Sequence, residues 1–334
     1  MSARFRVLLT DSPYADADLE RSILGPEVEI DHFRDGGPPP PDEAWRSADG
    51  IVLFRLFCRR ERVALLDRCK AIVRLGVGFD RVDLDACRER GIVVSNVPDY
   101  GTTEVADHAI GLLLALRRAI AGHHDALRAD LTGNWNSMSA MLQRRMGAQT
   151  LALVGLGRIG TATALRAKAF GMRVVFFDPF VARGAGLALG IERADTLASC
   201  LDGADALTLH APLTKETPGM IGAAELALLA PGAVVVNTAR GTLLDLDALH
   251  AALRSGRLGG AGLDVLPEEP AKPDHPLLRA YVAREDWLRG RMIVTPHAAF
   301  FSPEAWADMR RLGTETLRMF LFEGHTRNVV SGQA

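Results

Sequence analysis

The sequence has no stretch approaching the roughly 18 uninterrupted apolar residues that cross a bilayer. The apolar run within Met1-Ser-Ala-Arg-Phe-Arg-Val-Leu-Leu-Thr10 is too short for a secretory signal. No membrane contact is expected, and the cytoplasm is the expected location. Net charge is also scant: 39 basic against 41 acidic side chains leave −2. Basic groups such as Arg59-Arg60, Arg117-Arg118 and Arg144-Arg145 are short and scattered, as on solvated helix faces. The electrostatic footprint of a nucleic-acid partner is therefore missing. Cysteine is sparse, with four in 334 residues, at positions 58, 69, 87 and 200. They show neither CxxC spacing nor a histidine pattern suited to zinc, so no metal is expected, and the thiols read as buried or free in a reducing compartment.

The chain exceeds the usual size of one core, so two domains are expected. Its most informative stretch is Thr150-Leu-Ala-Leu-Val-Gly-Leu-Gly-Arg-Ile-Gly160, followed by the apolar run Val174-Val-Phe-Phe177 and Asp178. A strand, a glycine turn and a helix start in that order read as a dinucleotide-binding βαβ unit. Gly155 permits the tight turn, Gly157 lets the backbone approach a pyrophosphate, and Gly160 lets helix pack close to strand. The first helical amides, at Arg158 and Ile159, then face the phosphates. Asp178 lies 18 positions beyond Gly160, where a carboxylate accepts from both ribose hydroxyls of NAD and repels a 2′-phosphate. NAD is thus preferred over NADP, with Arg183 read as a solvated surface residue.

Strand-like runs at Phe5–Leu9, Val28–Phe33, Gly50–Phe54, Ala71–Leu75 and Ile92–Ser95 predict a small parallel α/β layer. Asp35-Gly-Gly-Pro-Pro-Pro-Pro41 interrupts it as a surface loop. Thr102 to Leu116 predicts a long crossover helix, and a second α/β series follows, with strands near 174–177, 205–209, 233–237, 260–263 and 292–295. Ser302 with Pro303 opens a last helix with apolar residues at Trp306, Met309, Leu312 and Leu317, which returns to pack on the first domain. Candidate catalytic groups fall at strand ends, where open α/β sheets bind ligands, and a cleft between the domains is expected to hold them.

Three segments carry that chemistry: Val234-Val-Val-Asn-Thr-Ala-Arg-Gly241, Gly262-Leu-Asp-Val-Leu-Pro-Glu-Glu-Pro270 and Val294-Thr-Pro-His-Ala-Ala-Phe300. With the glycine turn, they give a chain that resembles the D-isomer-specific 2-hydroxyacid dehydrogenases over nearly its whole length. It is nearest to the C-terminal-binding-protein (CtBP)-like group at Val73-Arg-Leu-Gly-Val-Gly-Phe-Asp80 and Thr295-Pro-His-Ala-Ala-Phe-Phe-Ser302. The resemblance implies a Rossmann-type doubly wound NAD-binding domain, residues 100–297, inserted in a smaller flavodoxin-like α/β substrate domain, residues 1–99 plus 298–334. It also implies an NAD-dependent oxidoreductase interconverting a 2-oxo acid and a D-2-hydroxy acid, and a homodimer built through the cofactor domain.

Site roles follow residue by residue. Reducing a 2-oxo acid develops an alkoxide, and His297, with an ordinary imidazole pKa of about 6.5, suits the proton donor. Glu269, directly before Pro270, matches the family's glutamate, and a carboxylate there would favour the imidazolium; Glu268 reads as solvent-facing. Arg240 matches the arginine that binds carboxylate and carbonyl oxygen together. Asp264 matches a family aspartate near the nicotinamide, and Thr238 and Ala239 are expected to line the cofactor beside Arg240. His210, Ala211, Pro212 and Thr217 are expected in the loop along the dinucleotide, with His210 a positioned loop residue rather than an acid or base. In the first domain, Val77 and Gly78 resemble the loop whose amides hold the substrate carboxylate, and Arg74 an arginine near the substrate. Arg55 is either a surface ion pair or the partner of a second anionic group on the substrate. Phe300 stands where the eukaryotic co-repressors have tryptophan, so the pocket differs there. Asp274 to Arg291 is a long insertion that either covers the cleft or contacts another subunit. The alternative function is a CtBP-like NAD(H)-sensing binding protein with little turnover, against which the absence of extended disordered tails and basic tracts argues.

Overall fold

The computed structural model describes residues 4–136 and 144–330. Five apolar runs form β1 (Phe5–Ser12), β2 (Val28–Arg34), β3 (Gly50–Leu53), β4 (Ala71–Arg74) and β5 (Val93–Asn96). They pair in the order β2-β1-β3-β4-β5, each ladder parallel. This is the flavodoxin-like order, reversing between β1 and β3. The inner strands are apolar at nearly every position because both faces of a parallel sheet are covered. Ile51, Leu53 and Ile72 join one buried cluster with Trp45 and Cys87, while Val52 and Val73 join another with Met309 and Leu317. The proline-rich stretch after Asp35 is an irregular, mostly exposed connection.

Met309 and Leu317 come from the long helix Pro303–Glu323, which Ser302 caps by accepting from the Ala305 N–H. Trp306 and Leu312 lie against the same cluster, so the predicted apolar stripe is the stripe that packs. The chain divides into two compact units, one made of residues up to Gly101 together with those from Phe301, the other of Thr102–Phe300.

The second unit carries β6 (Thr150–Val154), β7 (Arg173–Phe177), β8 (Glu192–Arg193), β9 (Ala206–Leu209), β10 (Ala233–Asn237), β11 (Leu258–Leu263) and β12 (Met292–Val294). Their order is β12-β11-β10-β9-β6-β7-β8, with parallel ladders throughout. Counted within the unit, this is the doubly wound 3-2-1-4-5-6 arrangement with one further strand, reversing between β6 and β9. The two-residue β8 is too short to leave a periodic signal in the sequence. The helix Thr102–Arg117 buries Ala109, Ile110, Leu113 and Leu116 with β6 and β7 residues on one face of the sheet. The insertion after Asp274 forms the helix Pro276–Val282, and Leu277, Leu278 and Leu288 are buried in the cluster on the other face. This insertion is thus part of the body of its domain. Among the described residues, no helix is long and apolar enough to cross a membrane.

Candidate active site

The glycine turn sits at the carboxyl end of β6, beside the point where the strand order reverses. Gly155 has φ +92°, in the left-handed region that favours glycine. A Cβ at Gly160 would stand 2.0 Å from the Gly155 carbonyl oxygen, so only glycine lets the helix Arg158–Ala169 close onto the turn. Among the described residues no side chain caps that helix at Gly157, so the amides of its first turn, which begins at Arg158 and Ile159, are not taken up by a cap. Asp178, at the end of β7, folds back onto the turn. Its Oδ2 accepts from the Leu156 N–H at 2.8 Å and its Oδ1 from the Phe180 N–H at 2.9 Å. A carboxylate has about four acceptor positions, so two remain for hydroxyl donors.

The neighbouring loop is tied to the same place. The His210 N–H donates to the Val154 carbonyl at 2.8 Å, bringing Ala211 and Pro212 beside the glycine turn. The Thr217 hydroxyl donates to the Pro212 carbonyl at 2.9 Å and closes the loop. Burial pushes the His210 imidazole down to about 3, and its Nε2 lies 2.9 Å from the Thr208 hydroxyl. It is a neutral, positioned group, unsuited to carrying a proton near neutrality. Thr238 is buried, and among the described residues its hydroxyl has no hydrogen-bond partner. An orphaned buried hydroxyl at the carboxyl end of β10, on the sheet whose β6 carries the glycine turn, fits a bound dinucleotide.

At the ends of β10, β11 and β12, three segments converge. Asn237 clamps the first: its Nδ2 donates to the Arg240 carbonyl at 2.9 Å and its Oδ1 accepts from the Ala239 N–H at 3.0 Å. The Arg240 guanidinium in turn donates to the Ala239 carbonyl at 2.7 Å. A Cβ at Gly241 would stand 2.0 Å from the Leu266 carbonyl carbon, so glycine there admits the loop that carries Glu269. Glu269 Oε2 meets His297 Nδ1 at 2.6 Å, and its Oε1 accepts from the Leu266 N–H at 3.1 Å. Burial tends to raise the Glu269 pKa. The hydrogen bond and charge of His297, the Leu266 amide and Arg240 outweigh it and hold the carboxyl below its ordinary value. Its neighbour Glu268 points elsewhere, 2.7 Å from Lys272 on the surface.

His297 has φ +53°, a conformation uncommon for residues other than glycine and one that its surroundings must hold. The holding group is Asp264. Its carbonyl accepts from the His297 N–H at 2.8 Å. Its buried carboxylate accepts from the Ala298 N–H at 2.9 Å, the Ala299 N–H at 3.0 Å and the Thr295 hydroxyl at 2.6 Å. The Asp264 carboxylate is thus engaged by the turn it supports. The Phe300 ring lies 6.3 Å from the His297 ring, edge to face. With Nδ1 on Glu269, the imidazole keeps Nε2 for a substrate.

Residues 110–299 match the family described as D-isomer specific 2-hydroxyacid dehydrogenase, NAD binding domain. The chain belongs to this family. It is 35% identical to a glyoxylate reductase of Korarchaeum cryptofilum over 306 residues, covering 90% of this chain and 88% of that one. It is 36% identical over 272 residues to a D-3-phosphoglycerate dehydrogenase of Methanocaldococcus jannaschii, covering 81% of this chain but 49% of the relative, so it spans about half of that protein's length. A solved D-lactate dehydrogenase of Aquifex aeolicus, complexed with NAD and lactic acid, gives a TM-score of 0.82 at 28% identity, covering 98% of this chain and 100% of that one. The matched residues lie within the Thr102–Phe300 unit.

The other unit holds the remaining candidates. In the loop after β4, the Val97 N–H and Asn96 Nδ2 take up the carbonyls of Gly76 and Val77, at 3.1 and 2.6 Å. Among the described residues no acceptor meets the Val77 and Gly78 amides, which leaves them available to an anion. The Arg74 guanidinium lies over Gly76, where an added Cβ would meet it at 1.8 Å. Arg55 is half exposed, 4.9 Å over the Phe54 ring and 3.9 Å from Asp35. Its loop is held by a residue that sequence reasoning misses: buried Asp11 accepts from the Phe54, Arg55 and Leu56 amides. Asp11 escapes such reasoning because it acts on backbone more than forty positions away, and Thr295 because the side chains it meets belong to distant segments; Asn237 holds the backbone of its own motif, where no spacing marks it.

Proposed function

We propose that the protein is an NAD-dependent oxidoreductase that interconverts a 2-oxo acid and a D-2-hydroxy acid. The observation that carries this is the 2.6 Å contact of His297 Nδ1 with the Glu269 carboxylate, on a turn beside Arg240. When bound, NADH supplies the hydride that reduces the 2-oxo carbon. His297, protonated and held through Nδ1, gives the Nε2 proton to the developing alkoxide; in the reverse direction it takes that proton back. Arg240 binds the carboxylate and carbonyl oxygens with its two-pronged guanidinium, which also stabilises charge developing on the alkoxide. The Val77 and Gly78 amides, with Arg74, are assigned to the substrate carboxylate, and Phe300 to the pocket wall.

The finer readings rest on separate supports. Preference for NAD over NADP rests on Asp178, whose charge opposes a 2′-phosphate. Thr238 and Ala239 are assigned to the nicotinamide end, and the 210–217 loop to the middle of the dinucleotide. Glyoxylate, lactate and 3-phosphoglycerate, named for the relatives, are the first substrates to consider. A homodimer through the NAD-binding unit is supported by exposed Ile120 and Leu165 on its helices and Phe170 at a helix end. The four reduced, buried cysteines accord with a cytoplasmic setting.

The test is loss of NADH absorbance with a panel of 2-oxo acids (glyoxylate, hydroxypyruvate, pyruvate, phenylpyruvate, 2-oxoglutarate), with His297→Ala as control. Turnover that vanishes in the variant is the expected result. Tight NADH binding without turnover on any acid would instead favour the CtBP-like sensing protein.

A further inference from the structure

The helix Thr102–Arg117 and β11 run past one another in matched steps. Leu116 stands 3.2 Å from where a Cβ of Gly260 would be, and Leu112 stands 3.0 Å from where one of Gly262 would be. The two glycines lie two apart on one face of the strand, and the leucines lie four apart along one stripe of the helix. The next step of that register pairs residue 108 with residue 264. His108 occupies it, with Nε2 3.7 Å from Asp264 Oδ1 and 2.9 Å from the Thr295 hydroxyl oxygen. The single Thr295 hydroxyl proton goes to Asp264 at 2.6 Å. Thr295 therefore accepts from His108, and the His108 proton sits on Nε2. A continuous relay results: His108 Nε2–H donates to Thr295 and Thr295 O–H to the Asp264 carboxylate, which also accepts from the Ala298 and Ala299 N–H groups, while the Asp264 carbonyl accepts from the His297 N–H.

We propose that His108 is a positioning residue for the reaction: through Thr295 and Asp264 it fixes the left-handed turn that presents His297 to substrate. The inference rests on the function proposed above, in which His297 carries the proton. His108 touches neither substrate nor cofactor in this assignment. Its Nε2–H is present in both the neutral and the charged imidazole, so the relay holds in either state.

The experiment compares wild type with His108→Gln, His108→Leu, Thr295→Val and the double variant His108→Leu/Thr295→Val. Glutamine places an amide N–H close to where histidine has Nε2–H, whereas leucine fills the space without a donor. The readouts are kcat, KM for NADH, and the thermal midpoint of the protein without cofactor. His108→Leu and Thr295→Val are each expected to lower kcat about ten-fold or more, since small misplacement of a reacting group is costly, with KM for NADH unchanged. The double variant should fall no further than the worse single one, and His108→Gln should stay within about three-fold of wild type. Equal loss in His108→Gln and His108→Leu, losses that multiply in the double variant, or an unchanged kcat would each overturn the proposal. If wild type and His297→Ala alike turn over nothing on the panel, the proposed function fails on its own terms. The relay is then judged by the thermal cycle, where additive losses from His108→Leu and Thr295→Val would refute it.

Discussion

Replacing Glu269 by glutamine isolates what the carboxylate does for His297. In the protein Glu269 Oε2 meets Nδ1 at 2.6 Å and Oε1 accepts from the Leu266 N–H at 3.1 Å, so both oxygens act as acceptors. Glutamine can turn only one acceptor at a time. If its carbonyl faces His297, its NH2 group faces the Leu266 N–H, donor against donor; if reversed, the NH2 group faces Nδ1 and opposes the imidazolium. A hydrogen bond to a charged group contributes about 1.5–3 kcal/mol and a neutral one about 0.5–1.5, so the exchange loses about 1 kcal/mol. The Leu266 N–H left without its acceptor adds about 1 kcal/mol, at the low end because the loop is not fully buried. A loss of about 2 kcal/mol is about thirty-fold in kcat/KM. The pH dependence has a definite sign. The Glu269 carboxyl is held below its ordinary value, so its contribution is complete above the unfolded carboxylate pKa and is lost as pH falls through the lowered folded one. Glutamine has no such titration. Wild type and Glu269→Gln should therefore differ most at neutral pH and converge in acid, both in rate and in thermal midpoint. Initial rates of 2-oxo acid reduction and thermal melts across that range measure it. A kcat/KM within two-fold of wild type at neutral pH, or a gap that stays constant into acid, would refute the reasoning.

Three further outcomes follow from the same geometry. Asp178→Ser replaces the two carboxylate oxygens that accept from the Leu156 and Phe180 amides by one shorter hydroxyl and removes the charge opposing a 2′-phosphate. The ratio of kcat/KM for NADH over NADPH should fall at least about ten-fold, the equivalent of 1.4 kcal/mol; an unchanged ratio would remove Asp178 from cofactor choice. Arg240→Lys keeps the charge but loses the planar fork, so steady-state kinetics should show a raised KM for the 2-oxo acid and a lowered kcat, whereas wild-type values would contradict bidentate binding. Gly160→Ala places a methyl 2.0 Å from a backbone oxygen. Overpacking of this kind costs about 1–3 kcal/mol, so the thermal midpoint should drop and NADH binding, followed by fluorescence, should weaken. A melt identical to wild type would show that the turn accommodates a side chain.

The parts of this protein legible in its sequence are those whose physics is local. The glycine turn and the acid at Asp178 belong to one βαβ unit, and a strand, turn and helix of adjacent residues must leave their requirements in adjacent letters. Arg240, Glu269 and His297 follow strand ends, where parallel sheets bind ligands, but their roles are legible through the resemblance of their segments to those of a known family. Their supports are not. Asp264, expected beside the nicotinamide, turns its carboxylate onto the Thr295–Ala299 turn. His108 reads as one more polar residue in the first turns of a helix, after Glu104 and Asp107, because its partners lie 156 and 187 positions away. What joins them is the register of a helix against a strand, set by whether Gly260 and Gly262 let Leu116 and Leu112 come close. One-dimensional periodicity shows that a face is apolar; it does not show which residue of the opposing element that face meets. A group that performs a chemical step must carry a characteristic side chain, while a group that positions it needs only the right neighbour. Sequence reasoning therefore reaches candidate actors more readily than the frame that aims them, and the His108–Thr295–Asp264 relay belongs to the frame.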